Sequence, residues 1–284
     1  MSLGVRARGF LELTRPGNAI AAGVLTFTGA IVAGGTLEDT LVVVAAILAT
    51  VFATGAGNAV NDYFDRDIDR INRPDRPIPR GAVSADEAKW FSIALFGGAV
   101  VSALVLPLVA IAIAVVNLTA LVAYTEFLKG LPGVGNVVVA ALTGSTFLFG
   151  GAAIGAPLGA VVLSVLAALA TLTREIVKDV EDIAGDKEEG LRTLPIVVGE
   201  RPSLVFGTVV LVVAVLASAV PYLDGEFGLA YLGLVVPADV LMLAGTIRSF
   251  EDPTLAQRRL KHGMFLAAAA FIVGRVAALG GVSV

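Results

Sequence analysis

Long apolar runs bounded by charged or turn-forming residues recur along almost the whole chain. They lie near 17–35, 40–61, 88–106, 108–127, 134–152, 157–177, 203–221, 228–248 and 263–281, each close to the roughly 20 apolar residues a membrane-spanning helix needs. The pattern predicts nine spans. Only Leu106, Pro107 and Leu108 separate the third run from the fourth. Together the two hold about 40 apolar residues, too many for one crossing, so a tight hairpin is expected there. Positive residues fall in alternate loops: Arg6, Arg8 and Arg15 before the first run; Arg66, Arg70, Arg73, Arg76, Arg80 and Lys89 after the second; Lys129 after the fourth; Arg174, Lys178, Lys187, Arg192 and Arg201 after the sixth; Arg248, Arg258, Arg259 and Lys261 between the last two. The opposite loops carry Glu38, Asp39, Asp224 and Glu226 without Lys or Arg. Basic loops stay on the cytoplasmic side, so the N-terminus is expected inside and the C-terminus outside.

Composition strengthens this picture. Of 284 residues, 57% are hydrophobic and 15% charged, against about half and about a quarter in soluble domains, which excludes a soluble globule and a disordered chain. The expectation is a single all-α, polytopic membrane domain over 1–284, without a cleavable signal peptide. Among its 32 glycines, runs such as Thr54-Gly55-Ala56-Gly57 and Gly150-Gly151-Ala152 suit close helix approach in lipid. The absence of Cys and the single His262 remove disulfides, thiolate chemistry and multi-histidine metal centres. His262 reads as an interfacial loop residue, and the net charge of −4 argues weakly against nucleic acid as a partner.

Chemistry concentrates at the ends of the second and sixth runs. Asp62, Asp65 and Asp69 follow one another at i, i+3 and i+7 with Asn61 beside them, and the spacing returns as Asp179, Asp182 and Asp186. On a helix each triad shares a face, and its mutual repulsion calls for a cation. By the charge pattern both face the cytoplasm. Hard oxygen donors without imidazole or thiolate suit Mg²⁺, which binds through one or two carboxylates, waters and substrate phosphates. Arg70, Arg73, Arg76, Lys129 and Lys178, interleaved with the triads, complement a diphosphate. A prenyl diphosphate would set its charged head at this interface and its tail between helices. One acidic run alone would read as a solvated face; two copies of one spacing on one side do not.

These motifs resemble the UbiA superfamily of intramembrane prenyltransferases. Asn61, Asp62, Asp65 and Asp69 match its N-D-x-x-D-x-x-x-D motif, and residues 72–81 resemble the N-R-P-x-R-P-I-P segment that follows. The second motif matches as Asp179, Asp182 and Asp186, followed by residues 190–195; Thr14-Arg15-Pro16-Gly17-Asn18 resembles the opening T-R-P-x-N, and Tyr124 and Lys129 sit where the family carries a Tyr and a Lys. The resemblance implies nine helices around a central cavity opening to the cytoplasm. It implies that Asn61, Asp65, Asp69, Asp179, Asp182 and Asp186 hold Mg²⁺, with Asp65, Asp69, Asp182 and Asp186 central to catalysis. It further implies substrate contacts from Asn18, Asn61, Asp62, Arg73, Arg76, Tyr124, Lys129 and Lys178.

Residues 172–186 are similar to the archaeal branch of that family that joins the geranylgeranyl group of geranylgeranyl diphosphate to the free hydroxyl of a phosphorylated glycerol ether. Prenylation of an aromatic acceptor for quinone synthesis is the alternative within the family, and a membrane transporter the alternative outside it. Two intramembrane charges, Asp239 and Arg275, are costly unless paired, and an ion pair between them is expected. Trp90 reads as an interfacial anchor, and Pro221 and Pro237 as helix bends or ends.

Overall fold

The computed structural model describes residues 3–128 and 130–280, and among them no strand occurs. The helices are α1 (Leu3–Leu13), α2 (Pro16–Val32), α3 (Thr40–Phe64), α4 (Arg66–Asn72), α5 (Ala85–Ala103), α6 (Leu108–Ala123), α7 (Val134–Ala153), α8 (Val161–Glu181), α9 (Ile183–Glu188), α10 (Leu194–Val198), α11 (Glu200–Ala217), α12 (Val220–Leu223), α13 (Leu229–Arg248) and α14 (Pro253–Leu279). Their starts are written locally. Pro16 and Pro253 occupy first turns, where a missing N–H costs nothing. Ser84 and Glu87 form a reciprocal capping box on α5, and Asp252 accepts the Leu255 N–H at 2.9 Å.

Among the described residues, six helical stretches are long and apolar enough to cross a membrane: Leu37–Phe64, Val134–Ala153, Pro157–Glu181, Glu200–Leu223, Leu229–Arg248 and Pro253–Leu279. Helices α2 and α6 are apolar but shorter, at 17 and 16 residues. Helix α5 occupies the position of the third expected span but carries Asp86 and Glu87 in its first turn. Outer faces present large apolar side chains, among them Leu41, Leu108 and Leu216, as expected where lipid is the solvent. The expected hairpin joins α5 to α6 through residues 104–107, with Leu106 turned inward and 6% exposed.

Helix α2 packs between α3 and α7; α7 also holds α6 and α8; α8 supports α11 and α14; α13 lies along α14, which returns to α2. With lipid as solvent, hydrophobicity gives helices no reason to associate, so contact depends on close backbone approach. A Cβ placed on Gly29 would stand 2.0 Å from the Phe147 carbonyl oxygen, and one on Gly150 would stand 2.0 Å from that of Thr26. Gly144 meets the Ser164 carbonyl in the same way across α7 and α8, and there the Ser164 hydroxyl donates to the Gly144 carbonyl at 2.8 Å.

The expected Asp239–Arg275 pair does not form. Asp239 accepts the Ser218 hydroxyl at 2.7 Å, while Arg275 donates to the Val32 carbonyl at 2.6 Å and to Glu226 at 2.8 Å. The reason is depth. Helix α14 begins at Pro253, so the basic stretch containing His262 is helical rather than a loop, and the chain reaches the level of Asp239 at Gly263, which packs on Ala238 and Met242. Gly274, next to Arg275, instead packs on Phe227 and Tyr231 at the other end of α13. Pro237 lies inside an unbroken α13, whereas Pro221 opens the short α12.

Gly150→Ala is expected to lower stability by about 1–3 kcal/mol through backbone overpacking, read as an earlier thermal unfolding midpoint in detergent. Gly233→Ala, where a Cβ meets nothing within 4 Å, should leave the midpoint unchanged or raise it, since Ala favours a helix by roughly 1 kcal/mol over Gly. Equal loss from both substitutions would contradict the close α2–α7 contact.

Candidate functional site

Each acidic motif folds in the same way. Helix α3 ends at Phe64 and α4 begins at Arg66, with Asp65 between them at φ −79°, ψ 0°. Helix α8 ends at Glu181 and α9 begins at Ile183, with Asp182 between them at φ −92°, ψ 3°. Backbone hydrogen bonds bridge both interruptions: Asp65 N–H to Asn61 and Asp69 N–H to Asp65, then Asp182 N–H to Lys178 and Asp186 N–H to Asp182, all at 2.8–2.9 Å. The middle aspartate of each triad thus sits at a helix break, where a continuous helix was expected.

Packing brings the motifs to one end of the bundle. Gly57 of α3 faces Leu121 of α6, while Ala46 and Ala49 share a cluster with Ala110, so α3 and α6 run parallel. Asn117 of α6 meets Ser145 of α7 at 2.8 Å, whereas Ala110 clusters with Phe149, Ala152 and Ala153, so α6 and α7 run antiparallel. Asp62 therefore lies thirteen residues beyond Ala49, and Asn136 thirteen before Phe149, displacements of roughly 20 Å in the same direction. The Asn136 amide donates to Asp179 at 2.8 Å, which carries the second motif to that level. Tyr124 opens a π-helical turn, Tyr124–Leu128, at the end of α6 and lies in the field of Glu175, Asp179 and Asp186.

The triads differ in how their charge is balanced. Asp62 and Asp69 are 4% and 5% exposed, and Arg76 bridges them, at 3.1 Å to Asp62 and 2.5 Å to Asp69. Arg15 adds a contact to Asp62 at 2.7 Å. It does so from a left-handed backbone, φ 47°, at the kink between α1 and α2. Asn58 fastens the same kink by donating to the Thr14 carbonyl at 2.9 Å. Arg76 is held from behind, where Ile78 and Val83 pack with Leu13, Ala59 and Ala88. Arg80 grips Glu12 at 2.5 Å and holds that carboxyl below the usual carboxylate range.

Among the described residues Asp65, Asp179, Asp182 and Asp186 form no direct ion pair. Burial pushes the Asp186 carboxyl up, Asp182 adds to the rise, and Thr193 and Lys178 oppose it. Lys178 is exposed and lies 3.8 Å from Glu175; Arg73 and Asn18 are exposed, and Lys129 lies outside the described residues. No three carboxylates or imidazoles among the described residues converge closely enough to enclose a metal unaided. The donors are nevertheless hard oxygens, two of them on aspartates at exposed or half-exposed helix breaks, which suits a cation that keeps waters and shares phosphate oxygens. The spacing of the aspartates did not single out Arg15, Asn58 and Asn136 as polar partners. Asn136, alone in an apolar run, carried the clearest signal.

From this end a cavity of about 390 Å³ runs between α3, α5, α6 and α7, with Asn58 and Asn61 at its head and Ala103, Ile111 and Phe149 deep within. Two of its hydroxyls are already satisfied, Thr50 and Thr146 donating to their own helices at 3.0 and 2.8 Å, so these parts of the wall behave as apolar.

Residues 22–269 match the UbiA prenyltransferase family. A protein of Haloquadratum walsbyi named digeranylgeranylglyceryl phosphate synthase is 62% identical over 277 residues, covering 97% of each chain. A solved structure described under the biosynthesis of digeranylgeranylglyceryl phosphate synthase in membranes superposes with a TM-score of 0.84 at 36% identity, covering 95% of this chain and 99% of its own. A UbiA homologue from Archaeoglobus fulgidus bound to GPP and Mg²⁺ shares the fold, with a TM-score of 0.69 at 21% identity, 93% of this chain and 98% of its own. With a family match over most of its length and a relative this similar from end to end, the chain belongs to the UbiA prenyltransferase family.

Proposed function

We propose that this prenyltransferase moves a geranylgeranyl group from geranylgeranyl diphosphate to the free hydroxyl of geranylgeranylglyceryl phosphate, forming the second ether bond of an archaeal membrane lipid. The reading treats residues 1–284 as one intramembrane domain of nine crossings, α2, α3, α5, α6, α7, α8, α11, α13 and α14. The N-terminus and the acidic end are taken as cytoplasmic. The observation that carries it is the juxtaposition of two aspartate motifs at the mouth of an apolar cavity, a place for a charged head beside a place for an isoprenoid tail. The relative from Haloquadratum walsbyi supports the choice of acceptor.

Asn61, Asp65 and Asp69, with Asp179, Asp182 and Asp186, would hold Mg²⁺, as in a family whose Archaeoglobus fulgidus member binds it with GPP. When bound, Mg²⁺ supplies positive charge that neutralises the diphosphate as it departs. This chain contributes the rest. Asn136 fixes the Asp179 carboxylate of the second motif. Arg76 pairs with both Asp62 and Asp69, and Arg15 with Asp62, inside the bundle, and Arg73, Lys129 and Lys178 supply cations to diphosphate oxygens. Asn18 and Tyr124 border the reacting carbon. The apolar walls exclude water, which would otherwise capture the allylic cation left by C–O cleavage. The acceptor hydroxyl oxygen then forms the new C–O bond, and its proton passes to the released diphosphate.

Asp65→Ala and Asp182→Ala are each expected to abolish prenyl transfer while leaving thermal unfolding unchanged, since neither residue makes an ion pair among those described. Asn136→Ala should raise the Mg²⁺ concentration required for half-maximal rate by about 10–100-fold, the usual loss when a group orienting a ligand is removed. Saturating Mg²⁺ should restore much of that rate. Unaltered Mg²⁺ dependence would remove Asn136 from the site.

Purified protein given labelled geranylgeranyl diphosphate, Mg²⁺ and a panel of acceptors should label geranylgeranylglyceryl phosphate. Product only with aromatic acceptors would overturn the assignment of acceptor, and solute flux into liposomes without product from any acceptor would overturn the enzyme reading.

A further inference from the structure

We infer that Arg174 of α8 and Lys261 of α14, with Asn18 of α2, form a site that binds the phosphate of the acceptor, apart from the residues that hold the donor's diphosphate. The inference rests on the function proposed above and adds to it the determinant of acceptor charge.

Register brings the three residues to one level. Helices α2 and α14 both start at the acidic end, where Arg15 meets Asp62 at 2.7 Å and Thr254 meets Glu181 at 2.6 Å. They run parallel and touch at the far end, where Arg275 donates to the Val32 carbonyl at 2.6 Å. Asn18 lies fourteen residues before Val32, and Lys261 fourteen before Arg275. Fourteen residues are close to four turns, so each stays on the face that makes the distal contact, about 21 Å nearer the acidic end. Helix α8 arrives from the opposite direction. Its Glu181 bonds to Thr254 and Gln257; Arg174 lies seven residues before Glu181, and Lys261 seven after Thr254 and four after Gln257. In antiparallel helices that places Arg174 and Lys261 within about one turn of each other.

Both side chains belong to the same cleft. On α8, Arg174, Lys178 and Asp182 recur every four residues on a face turned away from Thr173 and Ile176, which meet Gly207 of α11. On α14, Lys261 lies opposite Arg259 and Gly263, which pack on Gly245, Ala238 and Met242 of α13. Helices α11 and α13 therefore cover the far sides of this contact, and the cleft faces α2, where the exposed Asn18 amide supplies a neutral donor.

Charge then selects the ligand. Glu175 holds the Arg174 guanidinium at 2.8 Å and stands 3.8 Å from the Lys178 ammonium, while Lys261 lies 6.0 Å from the centre of the Phe265 ring. Three cations against one carboxylate leave a double positive charge, the complement of a phosphate monoester carrying roughly −1.5 to −2 at neutral pH. The donor does not account for Arg174. It precedes Asp182 by eight residues, about 12 Å of helix, with Lys178 in between to serve the diphosphate. A cation at that depth is costly unless it has work there, and a guanidinium fork fits two phosphate oxygens. In a glycerol phosphate the free hydroxyl stands roughly 5 Å from phosphorus at ordinary bond lengths. A phosphate held by Arg174 and Lys261 thus sets the hydroxyl toward Lys178 and the second motif.

The test compares geranylgeranylglyceryl phosphate with the corresponding unphosphorylated alcohol as acceptors for wild type, Arg174→Ala, Arg174→Lys and Lys261→Ala. Binding of labelled geranylgeranylglyceryl phosphate to the purified protein, without donor or Mg²⁺, gives a readout apart from turnover. Each Ala variant should raise the Kd and KM for the phosphorylated acceptor by about 10–100-fold, the loss expected for a charge-assisted hydrogen bond. The KM for geranylgeranyl diphosphate and the rate with the alcohol should match wild type, and Arg174→Lys should recover part of the binding. Lys261 is exposed, so its variant decides the matter should Arg174→Ala fold poorly with Glu175 unpaired. Equal losses for phosphate and alcohol, or a change confined to the KM for geranylgeranyl diphosphate, overturn the inference. Wild-type protein that labels neither glycerol acceptor overturns the proposed reaction itself, whereas wild-type labelling with unmoved Kd in the variants overturns the phosphate site alone.

Discussion

Asp62 and Asp69 lie almost wholly out of water at the end of an apolar bundle, and the Arg76 guanidinium set between them makes that burial tolerable. An unpaired carboxylate in such surroundings would cost several kcal/mol. Much of the local architecture serves this one arrangement. The loop after α4 folds inward through Ile78 and Val83, bringing Arg76 to the carboxylates. The kink between α1 and α2 adopts a left-handed backbone at Arg15 and is fastened by Asn58, which brings a second guanidinium to Asp62. Helix α1 is tied to that loop in turn through Glu12 and Arg80.

The two aspartate motifs share a backbone design yet differ in electrostatics. Both place a middle aspartate at a break bridged by helical hydrogen bonds. In the first, Asp62 and Asp69 are paired with arginines while Asp65 is not; in the second, Asp179 accepts from the neutral Asn136 amide and no aspartate has a direct ion pair among the described residues. One half of this end is thus ordered by internal ion pairs, while in the other the neutral Asn136 amide and the nearby Lys178 offset part of the carboxylates' mutual repulsion. The division suits a site that must be shaped before its ligands arrive.

The cavity depends on constraints far from the charges. Glycines at the α2–α7 and α7–α8 crossings let backbones touch, drawing α7 inward on one side while α5 and α6 stay parted at the seam on the other. The hairpin between α5 and α6 turns Leu106 into the alanine-rich interior beneath it.

The all-helical, membrane-crossing character, the tight turn near Pro107 and the repeated aspartate spacing were legible in the chain, because apolar run length and charge spacing are local quantities that each helix expresses alone; against nine expected spans, six stretches among the described residues are long and apolar enough to cross a membrane. Asp239 and Arg275 lie at different depths, since the pairing level depends on where α14 begins, and Pro253 starts it ten residues before its apolar run. Which polar groups meet is decided only by tertiary packing. Arg15 reaches Asp62 across 47 positions and Asn136 reaches Asp179 across 43. Such contacts leave no periodic trace, because each needs one side chain at one level of a neighbouring helix, and that level is set by the crossing of whole helices.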